Sequence, residues 1–183
     1  MKKSNFGNIV LIGFSGAGKS TIGDWTAREL GCNFLDLDRV IEAQEEKPLD
    51  QLVKELGHEK FCDLEASHAR RLCFVKDTVI ATGGSVIYRD DAMRHLKWLG
   101  TIVFIDAKLD TIKQAIAEAP NRGIVFPDPT DSTSIDDLYR ERLPLYRQWA
   151  DVIISRDGLS AQECAKQIVE LMNQKGNDER VRA

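Results

Sequence analysis

Ile9-Val10-Leu11-Ile12-Gly13-Phe14-Ser15-Gly16-Ala17-Gly18-Lys19-Ser20-Thr21 is the stretch that decides the fold. Its four leading apolar residues read as a short strand buried on both faces. Gly13 to Ser20 then satisfies GxxxxGKS, and residues 19–30 read as a helix. That order of strand, glycine loop and helix is the context a phosphate-binding loop requires. Glycines let the backbone bend until its N–H groups face phosphate oxygens, and the helix N-terminus adds partial positive charge at the same point. Lys19 is spaced to reach β- and γ-phosphates, and the Ser20 hydroxyl to ligate Mg²⁺. The candidate nucleotide contacts are Gly13, Ser15, Gly16, Ala17, Gly18, Lys19, Ser20 and Thr21.

Outward from this loop, further short apolar runs at 34–37, 79–81, 102–105 and 152–154 read as buried strands. Helical spacing separates them. Leu49, Leu52, Val53 and Leu56 share one face, as do Ala161, Cys164, Ala165, Ile168, Val169 and Met172. Strands alternating with helices predict a three-layer α/β/α domain with a parallel sheet, since parallel neighbours need crossover connections. Residues 119–134 lack periodicity and carry three prolines, which marks a functional or mobile loop. Residues 173–183 are polar and are expected to fray. One kinase-sized unit over 1–175 with a polar tail at 176–183 is expected.

Composition narrows the function. The 183 residues are 43% apolar and 30% charged, in the range of packed globular chains. A net charge of −4 and a pI near 5.5 argue against nucleic acid and anionic membranes as partners. Lys2 and Lys3 before residues 9–12 imitate a signal peptide, but the apolar run is short and no small-residue cleavage site follows. Four scattered cysteines without a CxxC pair read as reduced thiols. A cytoplasmic, monomeric enzyme acting on a small molecule is expected. An NKxD guanine reader and a DxxG switch, expected of a GTPase, are not found, so phosphoryl transfer to a small metabolite fits best.

Phe34-Leu35-Asp36-Leu37-Asp38 reads as a strand whose two aspartates share a face at its C-terminal end, where ligands of open parallel sheets bind. One carboxylate there suits Mg²⁺ through water and the other the activation of a hydroxyl. A helix N-cap at Asp38 is the alternative. Thr82-Gly83-Gly84-Ser85 reads as a turn after another strand, either plain or lining an acceptor site with bare N–H groups.

Taken in order, GFSGAGKST, FLDLDRVIE, GHEKFCDLE, ATGGS, NRGIV and RERLPLYRQWAD resemble the shikimate kinase family, in the nucleoside monophosphate kinase-like group of P-loop folds. The resemblance implies a five-stranded parallel sheet, an ATP and Mg²⁺ site on the P-loop, a lid at about 119–134, and transfer to the 3-hydroxyl of shikimate. By position it gives Asp38 the acceptor hydroxyl as candidate base, Asp36 the Mg²⁺ through water, and Arg122 the transferring phosphoryl. Arg142 takes the substrate carboxylate, and Gly83 and Gly84 supply backbone contacts. Without the family, Arg142 reads as an exposed helix arginine.

The chain also departs from the family pattern. GExxFRxxE appears as Gly57-His58-Glu59-Lys60-Phe61-Cys62-Asp63-Leu64-Glu65, so Cys62 stands where a second carboxylate-binding arginine belongs. Losing one arginine of such a clamp costs on the order of 2 to 5 kcal/mol. His58, when protonated, or Arg39 is a candidate replacement cation; a surface histidine is the simpler reading. The third glycine is Ser85, the lid Arg-Pro is Arg122-Gly123, a pocket phenylalanine is Val53, and an adenine-stacking arginine is Ala115. Three readings stay open: a shikimate kinase, a kinase for another small polyhydroxy compound, and a nucleotide-binding regulator without catalysis.

Overall fold

The structure, a computed structural model, describes residues 7–119 and 134–182, with side chains described as far as residue 174. Five parallel strands form one sheet: β1 (Asn8–Ile12), β2 (Asn33–Asp36), β3 (Thr78–Ala81), β4 (Gly100–Asp106) and β5 (Val152–Ser155), in the order β2-β3-β1-β4-β5. Every residue of β1 and β3 is buried, which is why these strands read as unbroken apolar runs. The edge strands β2 and β5 are more exposed.

The helices are α1 (Lys19–Leu30), α2 (Leu37–Glu45), α3 (Leu49–Arg70), α4 (Asp90–Leu99), α5 (Leu109–Glu118), α6 (Ile135–Trp149) and α7 (Ala161–Arg182). From β1 the chain steps across β3 to β2, then works back through β3 to β4 and β5. Right-handed crossovers therefore put α1 on one face and the helices between β2 and β5 on the other. Accordingly α7 packs on α1, and α3 packs on α4. The strand order reverses around β1, and ligands of open α/β sheets bind at such a switch point. No helix among the described residues is long and apolar enough to cross a membrane.

Two boundaries differ from the sequence reading. The strand expected over 34–37 ends at Asp36, and Leu37 opens α2. Asp36 is the N-cap of that helix, its Oδ1 accepting from the Asp38 N–H at 3.1 Å, so Asp38 lies in the first turn of a helix. Asp36 and Asp38 are therefore not same-face residues of one strand, and the N-cap of α2 is Asp36 and not Asp38. The polar segment 173–183, expected to fray, instead continues α7 to Arg182. Glu, Gln, Lys and Arg are good helix formers, and no proline interrupts them.

Helix α3 is bent. Gly57 sits at φ 73°, ψ 177°, a conformation that separates two helical arms. Residues 49–56 form the first, and the second carries His58, Cys62 and Glu65. All four cysteines are free: Cys62 and Cys164 are buried, Cys32 half-buried and Cys73 exposed.

Candidate active site

The P-loop leaves β1 and wraps onto the N-terminus of α1. Gly18, at φ 91°, is the N-cap of α1 without a side-chain cap, and the first turn of α1 carries no acidic residue. The amides of that turn are thus left for an anion, with no carboxylate to repel it. A cavity of about 440 Å³ opens over this turn, lined by Ser15, Gly16, Gly18, Lys19, Ser20, Thr21, Asp36, Asp38 and Thr82 among others. Gly13 and Ala17, named with the nucleotide contacts, shape the loop from below. The Gly13 carbonyl accepts from Lys19 Nζ at 2.7 Å, and the buried Ala17 donates its N–H to the Phe14 carbonyl at 3.1 Å. Ala115 packs beside Gly16, whose added Cβ would stand 3.1 Å from the Ala115 Cβ.

Lys19 is 7% exposed and also donates to the Phe14 carbonyl, at 3.0 Å. Burial lowers its pKa, opposed by Asp38, Glu65 and Asp36. Burial likewise pushes the Asp38 carboxyl up to about 6, against the pull of Lys19 and helped by Asp36 and Glu42. Asp36 and Asp38 line one cavity although they belong to a strand end and a helix start. The oxygen donors Ser20 and Asp36 suit Mg²⁺, a hard cation. Among the described residues no cluster of three or more His, Cys, Asp or Glu could hold a metal ion by itself. An ion that takes most of its ligands from phosphate and water fits that arrangement.

Thr82, at the start of the turn after β3, lines the same cavity, and the two glycines that follow it lie close to Asp38 and Ser15. A Cβ on Gly83 would overlap Glu65 Oε1 and come to 2.7 Å from Asp38 Oδ1, so any side chain there would have to displace both carboxyls. On Gly84 a Cβ would stand 3.3 Å from the Ser15 nitrogen and 3.5 Å from both Arg142 Nη1 and Tyr146 Oη. The Tyr146 hydroxyl donates to the Gly84 carbonyl at 2.6 Å, tying α6 to the turn.

Arg142 departs from the sequence reading of an exposed helix arginine: it is 1% exposed. Its guanidinium lies over the Phe14 and Tyr88 rings, 5.4 and 5.1 Å from their centroids, and Nε donates to the Tyr88 hydroxyl at 3.0 Å. A buried, always charged fork held by two aromatic faces is built to meet an anion. Neither Phe14 nor Tyr88 was marked by sequence, because their use depends on where α6 lands.

Cys62 is fully buried, and its thiol is raised to about 11, first by burial and then by Glu65, so it stays neutral. His58 is not a surface histidine: its side chain is 8% exposed and meets Tyr88 edge-on with ring centroids 5.3 Å apart. Its two nitrogens face Glu59 Oε1 at 3.2 Å and Cys62 Sγ at 3.7 Å, which spends both on neighbours of its own helix. Arg39 is exposed and lines the P-loop cavity. Val53 is half-buried against the core. Arg122, Gly123 and most of the 119–134 segment lie outside the described residues.

A phosphate cradle at a switch point, facing acidic groups and a buried arginine, defines a P-loop kinase. The family model described as Shikimate kinase matches residues 15–173. Shikimate kinases of Thermodesulfovibrio yellowstonii and Persephonella marina are 35% and 33% identical over 162 residues, 88% of this chain and 92% and 96% of theirs. A solved shikimate kinase of Acinetobacter baumannii, in complex with shikimate, superposes with a TM-score of 0.83 at 29% identity, covering 94% of this chain and 96% of that one. This chain belongs to the shikimate kinase family. It is accordingly a phosphotransferase acting on an alcohol group, using ATP with Mg²⁺.

Proposed function

We propose that this protein transfers the γ-phosphoryl of ATP to the 3-hydroxyl of shikimate. The observation that carries the reading is the buried Arg142, packed over the Phe14 and Tyr88 rings and set beside the Gly84 turn and the P-loop. It gives a carboxylated acceptor one fixed anchor next to the donor phosphates.

In this reading Gly83 and Gly84 bring backbone to the acceptor, and Asp38 orients the attacking hydroxyl and takes its proton. With a pKa near 6, Asp38 is mostly ionised at neutral pH yet basic enough to accept. Lys19 leaves its loop carbonyls to meet the β- and γ-phosphates, while Gly13 to Thr21 hold them through the backbone. Ser20, and Asp36 through water, would hold Mg²⁺, which would supply charge neutralisation at the donor phosphates. Arg122 is assigned the phosphoryl group by resemblance alone. Positioning and charge neutralisation do most of the work, since phosphoryl transfer asks little covalent chemistry of the protein. The protein is taken to act as a cytoplasmic monomer, one kinase unit over 1–175, with neither nucleic acid nor membrane involved.

Cys62 favours a second reading, a kinase for another small polyhydroxy compound that depends less on a doubly held carboxylate. A screen of hydroxylated acids and polyols by ADP release separates the two. Saturation by shikimate in the usual micromolar to millimolar range supports the first. Release driven only by another compound supports the second.

A further inference from the structure

Two of the departures from the family pattern meet on one carboxyl. Glu65 is 1% exposed, and its Oε2 accepts from the Ser85 hydroxyl at 2.5 Å. A glycine at 85 has no hydroxyl to give. Its Oε1 is buried with no hydrogen-bond partner among the described residues, and it lies against Gly83 on the side where Asp38 Oδ1 also stands. In the pattern GExxFRxxE an arginine sits one helical turn before this glutamate, within ion-pair reach. Here that position is the neutral thiol of Cys62. Ser85 therefore satisfies one oxygen that the arginine no longer serves, but a hydroxyl does not carry its charge.

Among the described residues, the charged and titratable groups around Glu65 are Lys19 on α1, Asp38 on α2, Cys62 on its own helix, and Arg142 and Tyr146 on α6. Of these, Lys19 and Arg142 are the cations, and in the proposed function both are taken up by ligands, Lys19 by donor phosphates and Arg142 by the acceptor carboxylate. An ionised Glu65 would then face Asp38 and an incoming carboxylate without a cation of its own, in a place closed to water. Burial first, and Asp38 second, already raise its carboxyl to about 7.

We infer that Glu65 is a specificity-determining residue of the acceptor site: a neutral carboxyl whose Oε1 donates a hydrogen bond to the acceptor, so that a carboxylated acceptor binds together with one proton taken from solvent. The inference rests on the proposed function in taking a carboxylated polyol as the acceptor. It makes Cys62 and Ser85 a compensated pair, with proton uptake in place of the second arginine. The sign follows from linkage. Affinity is flat below the free-state pKa of Glu65 and weakens by about tenfold per pH unit above it.

The test is calorimetric titration of shikimate into the full chain with MgADP, in buffers of different ionisation heat. At pH 8 the wild type is expected to take up close to one proton per shikimate, and at pH 5.5 little. Glu65→Gln, which cannot titrate, is expected to lose the uptake and to bind with a Kd that no longer rises between pH 7 and 8. Cys62→Arg with Ser85→Gly, which restores a fixed cation, is expected to lose it as well and serves if Glu65→Gln does not fold. Binding without uptake in the wild type, or uptake that persists in both variants, overturns the role of Glu65 and leaves the acceptor standing. Failure of the folded wild type to bind shikimate at any pH overturns the acceptor and this inference together.

Discussion

Asp38 and Glu65 flank Gly83 from two helices, and both are carboxyls that burial holds above their ordinary range. They are asked for opposite things. Asp38 must be ionised to accept a proton, whereas Glu65 is useful with its proton on. Replacing Asp38 by Asn removes the acceptor of the hydroxyl proton while keeping its shape, so kcat is expected to fall about 10²- to 10⁴-fold. Steady-state ADP release with saturating acceptor checks this, and a loss under tenfold would remove Asp38 from the chemistry. For Glu65 the consequence is on stability. Its folded pKa of about 7 exceeds the ordinary 4.5, so its favourable contribution is complete below pH 4.5 and is lost as pH rises through 7. Glu65→Gln is therefore expected to gain up to about 3 kcal/mol over wild type at pH 8 and almost nothing at pH 4.5. Urea unfolding at the two pH values reads the difference.

Among the elements, the bend in α3 controls where the acceptor site lies. Gly57 occupies a backbone region reserved for glycine, yet an added Cβ would meet nothing within 4 Å. Gly57→Ala is thus a test of backbone conformation without a clash. It is expected to cost about 1 to 3 kcal/mol in denaturant unfolding and to raise the acceptor KM more than the ATP KM, because the second arm carries Glu65. The same elements explain what could be read from sequence. Strands β1, β3 and β4 are legible because burial of their central residues leaves continuous apolar runs, β5 because its Val152-Ile153-Ile154 run is apolar although the strand is an exposed edge, and the P-loop because strand, glycines and helix are consecutive. The β2–α2 junction is not, since the buried, apolar Leu37 extends the run of β2 without a break and only the capping bond to Asp36 marks the change. Tyr88, Tyr146 and the Phe14 face enter the site through tertiary placement and leave no local pattern. Glu65 stood in a quoted block, but its orphaned oxygen and its bond to Ser85 join residues 20 positions apart in sequence.

At the scale of the molecule, the sheet order brings the ends of β1, β2 and β3 to one edge, so the phosphate cradle, the acidic pair and the glycine turn converge. Helix α6 then lays Arg142 across that edge, with Tyr146 stacked on Phe104 of β4 at 5.2 Å to fix its height. Donor and acceptor are in this way held by different crossovers of one sheet, which permits the acceptor half to change while the P-loop half stays intact. This edge joins the γ-phosphoryl of ATP to a hydroxyl of shikimate. Phosphorus NMR of purified protein with MgATP and shikimate tests it most directly. A new phosphate monoester coupled to the proton on carbon 3 is expected, formed in equal amount with ADP and absent with Lys19→Ala. ADP appearing with inorganic phosphate alone, or a monoester undiminished in Lys19→Ala, would contradict it.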